Sequence, residues 1–451
     1  MLAAILGIDE EEAARRLDVM ALITVDPNDT TSQRIAGQIQ AMLSRTIIAS
    51  TTLAATRSVA VEVIVGRAVP RAIGSATVWV GPVPEGIRVA RDSFSQVRWV
   101  HHRIFGLIAA CYACGLALRC VLNDQLPYRG SDAILVSPIE LLGADLWVID
   151  EVCNLGQAML AGAGAVANGF LYGLQHFQTQ GTLYVVDPKD VHDGILNRCI
   201  WYEEGDIGRP KADQLVLRAQ PRFPNLTLKP CIATVHAATA HVGMSLTRLI
   251  TTVDSRRARR SLQREIPRQV FDASTTGIEE LVLHFNMQPS RLACLSCIYR
   301  LEIEEMRHEK HVAEALGVSV SDVRSGFVSN DAAALICTNF PDLLPEAIIG
   351  KAYDTLFKAR CAQGMLKTAS DRQVLAPFCC VSMLTGAYLA LEVVRRINTG
   401  NTAEPFNYWR LSPWHSPVMG LRALRPSRPD CEYCTDPIMR EVAASLWGGS
   451  Q

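Results

Sequence analysis

The chain has 451 residues, of which 49% are hydrophobic, and this is enough for two or three domains with cores of their own. Its 44 lysines and arginines nearly balance its 45 aspartates and glutamates, so the overall charge favours neither nucleic acid nor a membrane as a partner. Fourteen cysteines would suit a secreted protein, but the first residues lack a signal-peptide pattern. We therefore expect a soluble, cytoplasmic protein in which paired cysteines bind metal or act in catalysis.

The N-terminal part of the chain predicts an α/β unit. Residues 1–58 favour helices, because charged and apolar residues alternate there in short blocks. β-branched residues then predict strands at 59–66 and 76–81, and the apolar segment 103–122 predicts a helix. A linker is expected at 123–132, where Asn, Asp, Pro, Gly and Ser accumulate.

A glycine-rich turn follows the next apolar run. Gly162, Gly164 and Ala167 have the spacing G-x-G-x-x-A, and such small residues let the backbone approach a phosphate at the N-terminus of a helix. The predicted strand 182–186 then ends at Asp187, whose carboxylate can accept hydrogen bonds from ribose hydroxyls. The pattern predicts a nucleotide site and, by itself, is most typical of proteins that bind NAD or FAD.

Two cations and an acid further along the chain favour a triphosphate instead. Arg198 follows Asn197 in the triplet Leu-Asn-Arg, and Lys211 begins a predicted helix thirteen residues later. Fixed cations of this kind can hold the phosphates of a nucleotide. Asp254 directly follows the predicted strand 249–253. A nicotinamide oxidoreductase would leave both cations and Asp254 without a role.

These motifs, in this order, resemble those of the ThiF/MoeB/HesA-like superfamily, whose members adenylate the C-terminus of ubiquitin-like proteins. The resemblance implies a Rossmann-like adenylation domain with a mostly parallel sheet, and ATP and Mg²⁺ as cofactors. It assigns catalytic roles to Arg198 and Lys211, which would stabilise charge on the phosphates, and to Asp254, which would face the metal. The residues implied in MgATP binding are Gly162, Gly164, Asp187, Asn197, Arg198, Lys211 and Asp254.

Two positions depart from the family pattern. Ile195 lies where the family usually has a polar residue, and Lys189 replaces the second acid of an Asp-x-Asp pair. No role is carried over onto either residue. The departures keep open a non-enzymatic alternative, in which the chain is a zinc-stabilised scaffold with a decayed nucleotide site.

Two C-x-x-C pairs predict a four-cysteine zinc site. Two thiolates separated by two residues can bind one tetrahedral zinc, and a second pair completes the four ligands. The family carries such a zinc, which here would join distant segments of the chain. The predicted ligands are Cys294, Cys297, Cys431 and Cys434. A third pair, Cys111 and Cys114, lies in the predicted apolar helix and is expected to form buried free thiols.

Between the two pairs, the segment 299–372 predicts a helical insertion in the place of the catalytic-cysteine region of ubiquitin-activating enzymes. Cys361 is flanked by Lys358 and Arg360, and nearby cations favour the thiolate that acts as a nucleophile. We therefore predict Cys361 as the thioester-forming residue. Cys337, which lies among apolar residues, remains an alternative, as does an enzyme without a thioester.

The resemblance also implies a division into domains. An inactive adenylation-like half would cover 1–135, and an active adenylation domain would cover 136–298 and 373–451, interrupted by the insertion 299–372 and ending in the zinc-binding tail. The implied function is adenylation of a ubiquitin-like protein, thioester formation and transfer to a conjugating enzyme, as in bacterial antiphage operons. A sulfur-carrier adenylyltransferase without the thioester step is the main alternative. The sequence leaves the oligomeric state open, with a homodimer as one alternative. In the family, an arginine from the N-terminal half or from a second subunit generally reaches the triphosphate.

Overall fold

The structure is a computed structural model that describes residues 2, 6–53, 58–72, 75–123, 125–126, 129–242, 246–362, 378–400 and 405–448. The described residues form two largely parallel sheets and a helical insertion. The first sheet contains β1 (Met20–Val25), β2 (Ile48–Ser50), β3 (Val59–Val65), β4 (Ala76–Val83), β5 (Gly86–Ala90) and β6 (Ala133–Val136). Its strand order is β2-β1-β3-β4-β5-β6, in which β2 to β4 are parallel and β5 and β6 are antiparallel to their neighbours. The helices of this part are α1 (Glu10–Leu17), α2 (Thr30–Leu43) and α3 (Arg103–Val121).

The prediction that residues 1–58 are helical is wrong at β1 and β2. The apolar run Met20–Val25 is a central strand that pairs in parallel with both β2 and β3. A short apolar run fits a buried strand as well as a buried helix, and the neighbouring strands decide between the two. The expected linker 123–132 does not separate the two sheets either, because β6 follows it and pairs with β5.

The second sheet has the order β9-β8-β7-β10-β11-β12-β13-β14, with parallel pairing from β9 to β11 and antiparallel pairing from there on. Its strands are β7 (Cys153–Ala161), β8 (Thr179–Val186), β9 (Leu226–Cys231), β10 (Arg248–Thr251), β11 (Gln269–Thr276), β12 (Glu280–Met287), β13 (Tyr408–Leu411) and β14 (Leu421–Ala423). The first strands of the two sheets are arranged in the same way. β1 lies between its parallel neighbours β2 and β3, and β7 lies between its parallel neighbours β8 and β10. The fold class predicted from the sequence is confirmed.

The helices between these strands cover the second sheet and build the insertion. Those of the sheet are α4 (Pro138–Leu142), α5 (Ala165–Leu174), α6 (Lys211–Ala219), α7 (Val235–Val242) and α8 (Arg256–Leu262). The short helix α9 (Leu295–Ile298) precedes the insertion, which carries α10 (Ile303–Leu316), α11 (Val320–Ser325), α12 (Asn330–Asn339), α13 (Pro345–Ile348) and α14 (Tyr353–Ala362). The chain then returns through α15 (Cys379–Asn398) and ends with α16 (Pro437–Trp447).

Two long apolar helices join the sheets in the main core. Within the described ranges, α3 alone is long and apolar enough to cross a membrane, but 89% of its apolar window is buried inside the fold. It packs against α15, where the hydroxyls of Tyr112 and Tyr388 lie 3.1 Å apart. Cys111 and Cys114 are buried in α3, as expected, and burial raises the pKa of both thiols well above the usual value.

The helices α5 and α15 cross at glycines. A methyl group at Gly386 would overlap the backbone of Gly169 and Phe170, and one at Gly169 would come within 2.7 Å of the Ser382 carbonyl oxygen. The backbones of the two helices are therefore in direct contact. Since α5 begins four residues after the end of β7, this contact holds the helix that follows the G-x-G-x-x-A turn.

The insertion has an apolar core of its own, and one face of its charged helix α10 is turned towards α8. Val312, Leu316 and Phe357 belong to that core. Glu309 on α10 is completely buried and forms salt bridges with Arg257 of α8 and Arg324 of α11. This face of α10 is therefore buried, because the basic residues that follow Asp254 pair with its acids.

Candidate functional site

The glycine turn after β7 is held by Asp187. Gly162 has φ = +92°, a backbone conformation that favours glycine, and its amide donates to the carbonyl of Val186 over 2.8 Å. The two carboxylate oxygens of the buried Asp187 accept hydrogen bonds from the backbone amides of Ala163 and Lys189, each 2.8 Å long. Asp187 therefore shapes the turn, and the lone pairs that remain on its oxygens can still accept from a ribose.

The turn leaves room for a phosphate at the start of α5. Gly164 is the residue that precedes this helix, and no side chain caps the helix with a hydrogen bond. A Cβ atom at Gly164 would meet nothing within 4 Å, so the turn is open on this side. Unpaired amides at a helix N-terminus attract anions.

Lys211 is brought beside this turn by a short antiparallel pairing. Its amide donates to the carbonyl of Lys189 over 3.0 Å, next to a bridge between Asp190 and Pro210. The hydroxyl of Tyr202 donates to the carbonyls of both Ala163 and Lys211, at 2.6 and 3.1 Å. The glycine turn and the start of α6 are therefore tied together. Lys211 is itself buried, with 6% of its surface exposed.

Several positively charged side chains of this region act electrostatically on His192. Partial burial lowers the pKa of His192, and the charges of Lys211, Arg198 and Lys189 lower it further. Arg198 donates to the Gly194 carbonyl oxygen, 2.5 Å away, and to the side-chain oxygen of Asn197, 3.2 Å away. An electrostatic field that disfavours the protonated, positively charged form of His192 favours the binding of an anion such as a triphosphate.

Asp254 lies at the open edge of the same site. Its side chain is 85% exposed, and one carboxylate oxygen is 3.7 Å from the ammonium nitrogen of Lys189. Lys189, which departs from the family pattern, therefore brings a cation to the site. It faces Asp254, the acid that is predicted to face the metal. Ile195, the other departure, is 4% exposed and packs in the main core, away from any ligand role.

The first half of the chain contributes Arg45, which the sequence reasoning missed. Its guanidinium donates to the carbonyls of Leu196 and Ile200 at 2.9 and 3.1 Å, and so holds the loop that carries Asn197 and Arg198. No local pattern around Arg45 reveals this role, because its partners are backbone atoms 151 and 155 residues away. We call the glycine turn, Asp187, Arg198, Lys211 and Asp254 the nucleotide cradle.

The four predicted metal ligands form one cluster. Their sulfur atoms all lie within 4.8 Å of one another, and three pairs are 3.6, 3.7 and 3.8 Å apart. The hydrogen bond from the Cys294 thiol lowers the pKa of Cys431 to about 6, and the same thiol lowers that of Cys297. The cluster joins the start of the insertion to the C-terminal tail.

The insertion places the two candidate nucleophiles on different helices. Cys337 lies on α12, half-buried against the core of the insertion, and Cys361 lies in the last turn of α14, with its side chain outside the described part of the structure. Arg360 does not support the expected electropositive setting. It is buried, its guanidinium donates to Asp342 at 2.5 and 3.2 Å, and it stacks on Phe340.

The fold and the cradle define a Rossmann-like nucleotide-binding protein. The sequence model of the ThiF family matches residues 156–433, and that of the E1 N-terminal domain matches residues 1–137. The chain belongs to the ThiF family, whose members are enzymes of the adenylyltransferase type. The match to the E1 N-terminal domain covers the first sheet entirely.

Individual relatives are distant. An uncharacterised protein, y4jF of Sinorhizobium fredii, is 23% identical over 308 residues, which are 64% of this chain and 58% of that protein. This chain therefore spans less than two thirds of the length of that relative. Solved structures with low similarity scores include the following two. Escherichia coli MccB with ATP has a TM-score of 0.41 and 11% identity over 80% of this chain and 98% of its own. PaaA has a TM-score of 0.36 and 12% identity over 74% and 77%.

Proposed function

We propose that this chain activates the C-terminus of a ubiquitin-like protein with MgATP and then holds that protein as a thioester on a cysteine of its insertion. The observation that carries the proposal is the nucleotide cradle. In a ThiF-family chain, it brings an open glycine turn, two cations and an exposed acid together at the carboxyl edge of a parallel sheet, where such sheets bind nucleotides.

In the first half reaction, the carboxylate of the partner attacks the α-phosphate of ATP, and pyrophosphate leaves as the acyl adenylate forms. Lys211 and Arg198 stabilise the charge that develops on the phosphates, and Asp187 positions the turn and the ribose. The single exposed carboxylate of Asp254 fits Mg²⁺, which proteins commonly hold with one or two carboxylates and the substrate phosphates. The metal supplies further neutralisation of phosphate charge.

The thiol cluster fits a structural zinc. In a tetrahedron with Zn–S bonds of ~2.3 Å, the sulfur atoms are about 3.8 Å apart, and three of the Sγ–Sγ distances here are 3.6, 3.7 and 3.8 Å. Cys294, Cys297, Cys431 and Cys434 would hold the ion. All four positions are then taken by protein ligands, which is typical of a structural and not a catalytic zinc site.

In the second half reaction, a thiolate of the insertion attacks the acyl adenylate, a thioester forms and AMP leaves. The partner would then pass to a conjugating enzyme. We keep Cys361 as the proposed nucleophile, with Cys337 as the alternative. The pairing of Arg360 with Asp342 weakens the electrostatic reason for Cys361 and favours the second candidate function, adenylation of a sulfur carrier without a thioester.

The first half reaction is tested by ATP–pyrophosphate exchange with a ubiquitin-like protein encoded next to this chain. Exchange is expected with the wild type and is expected to fall by about 10²-fold or more in Lys211→Met, because a preorganised cation at the phosphates is lost. Lys310→Met, which changes an exposed lysine of α10, is the matched control. If the wild type shows no exchange, the result would overturn the proposal. It would support the alternative of a zinc-stabilised scaffold with a decayed nucleotide site.

The second half reaction is tested on a non-reducing gel with the same partner and MgATP. We expect a thiol-sensitive adduct that is lost in Cys361→Ala and kept in Cys337→Ala. Loss in Cys337→Ala alone would move the nucleophile to α12. Exchange without any adduct would identify an adenylyltransferase that stops after the first half reaction.

A further inference from the structure

A cavity of about 360 Å³ lies between α8, the insertion and the tail that carries the thiol cluster. None of the residues of the nucleotide cradle line it. Six arginines line the cavity, against three carboxylates, in the part of the chain that the structure describes. The arginines are Arg257, Arg260, Arg264, Arg300, Arg324 and Arg428. The acids are Glu309, Asp430 and Glu432.

These arginines are not all neutralised. Four of the six are paired: Arg257 with Glu309 and Asp354, Arg324 with Glu309, Arg260 with Glu305, and Arg428 with Asp430. By contrast, Arg264 and Arg300 form no salt bridge with any residue that the structure describes, and both are exposed at the mouth of the cavity. The Nε of Arg264 donates instead to the hydroxyl of Tyr433, 2.9 Å away. Excess positive charge in a concave site attracts and concentrates anions.

A buried hydroxyl without a partner points to the same ligand. Ser296 lies between the two cysteines of the first C-x-x-C pair, is 7% exposed and lines the cavity. Among the described residues, its Oγ has no hydrogen-bond partner. A buried polar atom that is unsatisfied within the protein is commonly satisfied by water or a ligand.

We propose that this cavity binds a small anion with several phosphate groups, independently of the adenylation site. Guanidinium groups bind phosphate oxygens in a bidentate way, and a tetrahedral phosphate offers enough acceptors for several arginines and one hydroxyl. A volume of this size suits a compact ligand and not a protein chain. Such an anion joins α8, the insertion and the tail, and so opposes movement of the insertion.

The test is calorimetric titration of the full chain with sodium tripolyphosphate at low salt. Binding is expected in Lys211→Met, in which the nucleotide cradle is impaired. It is expected to weaken about tenfold in the double variant Arg264→Gln/Arg300→Gln, which loses two charge-assisted contacts. It is also expected to weaken as salt is raised. Arg88→Gln, an exposed arginine of β5 in the first sheet, is the matched control and should bind like the wild type.

Three results would overturn this proposal. The first is the absence of binding to Lys211→Met together with unchanged binding to the double variant, since the ligand would then occupy the nucleotide cradle. The second is the absence of binding to the wild type. The third is tighter binding of citrate than of tripolyphosphate, which would remove the assignment to phosphate. Exchange activity is measured separately, so failure here leaves the proposed adenylation untouched.

Discussion

Both oxygens of Asp187 are engaged with the backbone before any nucleotide binds, and this makes the residue a part of the framework as well as of the site. The carboxylate accepts on both sides, from the amide of Ala163 in the glycine turn and from the amide of Lys189. Asparagine at this position would replace one acceptor oxygen with an NH₂ group, and this donor would face one of the two backbone N–H groups.

We therefore expect Asp187→Asn to weaken ATP binding by about 1.5–3 kcal/mol, which is the usual contribution of a hydrogen bond to a charged group. Calorimetric titration with ATP measures the change. Asp190→Asn, three residues further on the same loop and exposed, is the control. Equal affinity of the Asp187→Asn variant and the wild type would show that the turn forms without the carboxylate.

Lys189 and Mg²⁺ would compete for Asp254, because the ammonium lies 3.7 Å from its carboxylate. Because Asp254 is 85% exposed, this ion pair is screened by water and is worth only about 0–1 kcal/mol. Lys189→Met should thus lower the Mg²⁺ concentration needed for half-maximal ATP–pyrophosphate exchange, while Asp254→Asn should raise it. A higher Mg²⁺ requirement in Lys189→Met would mean that the lysine acts on the phosphates.

At the scale of elements, α5, the helix that follows the glycine turn, is in direct backbone contact with α15. Since a methyl group at Gly386 would overlap backbone atoms of α5, the two helices must separate to accept it. We expect Gly386→Ala to lower the free energy of unfolding by about 3 kcal/mol, as overpacking in a tight core does.

The matched control is Gly37→Ala on α2, where a Cβ atom would meet nothing within 4 Å. This change should be neutral or stabilise by about 0.5–1 kcal/mol, since alanine is the better helix former. Chemical denaturation measures both variants. Similar stabilities of the two would mean that the helices can separate at no cost.

The thiol cluster is the other element that can be tested alone. Cys434→Ser should release one equivalent of zinc and make the tail after β14 more sensitive to protease, because a structural zinc site contributes its binding energy to folding. Cys231→Ser, at a cysteine outside the cluster, should keep the metal. Metal analysis and limited proteolysis are the measurements. Full zinc content in Cys434→Ser would exclude the residue as a ligand.

At the scale of the whole molecule, one buried carboxylate joins the insertion to α8, next to the second sheet. Glu309 is completely buried between Arg257 and Arg324, and removing one partner of such a network commonly costs about 3–5 kcal/mol. Glu309→Gln is expected to increase hydrogen exchange in the insertion and to leave the second sheet unchanged.

The control for this prediction is Glu314→Gln, since Glu314 is an exposed acid on the same helix that pairs with Lys310. Hydrogen exchange followed by mass spectrometry separates the two regions. A uniform increase over the whole chain would show that the insertion unfolds together with the sheets and does not move as a unit. The proposed thioester step needs such movement, because the nucleophile must reach the acyl adenylate.

The sequence by itself determined the elements whose signals are local. The G-x-G-x-x-A turn, the two C-x-x-C pairs and the strands at β3 and β4 follow from backbone freedom, ligand spacing and β-branched composition, which act within a few residues. The order of the glycine turn, Asp187, Arg198, Lys211 and Asp254 along the chain also indicated the family. The division into domains and the role of Cys361 remain predictions.

The tertiary structure decided what depends on distant partners. β1 is a strand because β2 and β3 flank it, Glu309 is buried because Arg257 comes from another helix, and Arg360 is neutralised because Asp342 folds back on it. Burial and charge pairing act between residues that are close in space, whatever their separation along the chain. No pattern along the chain reports such contacts, so only the folded structure could assign them.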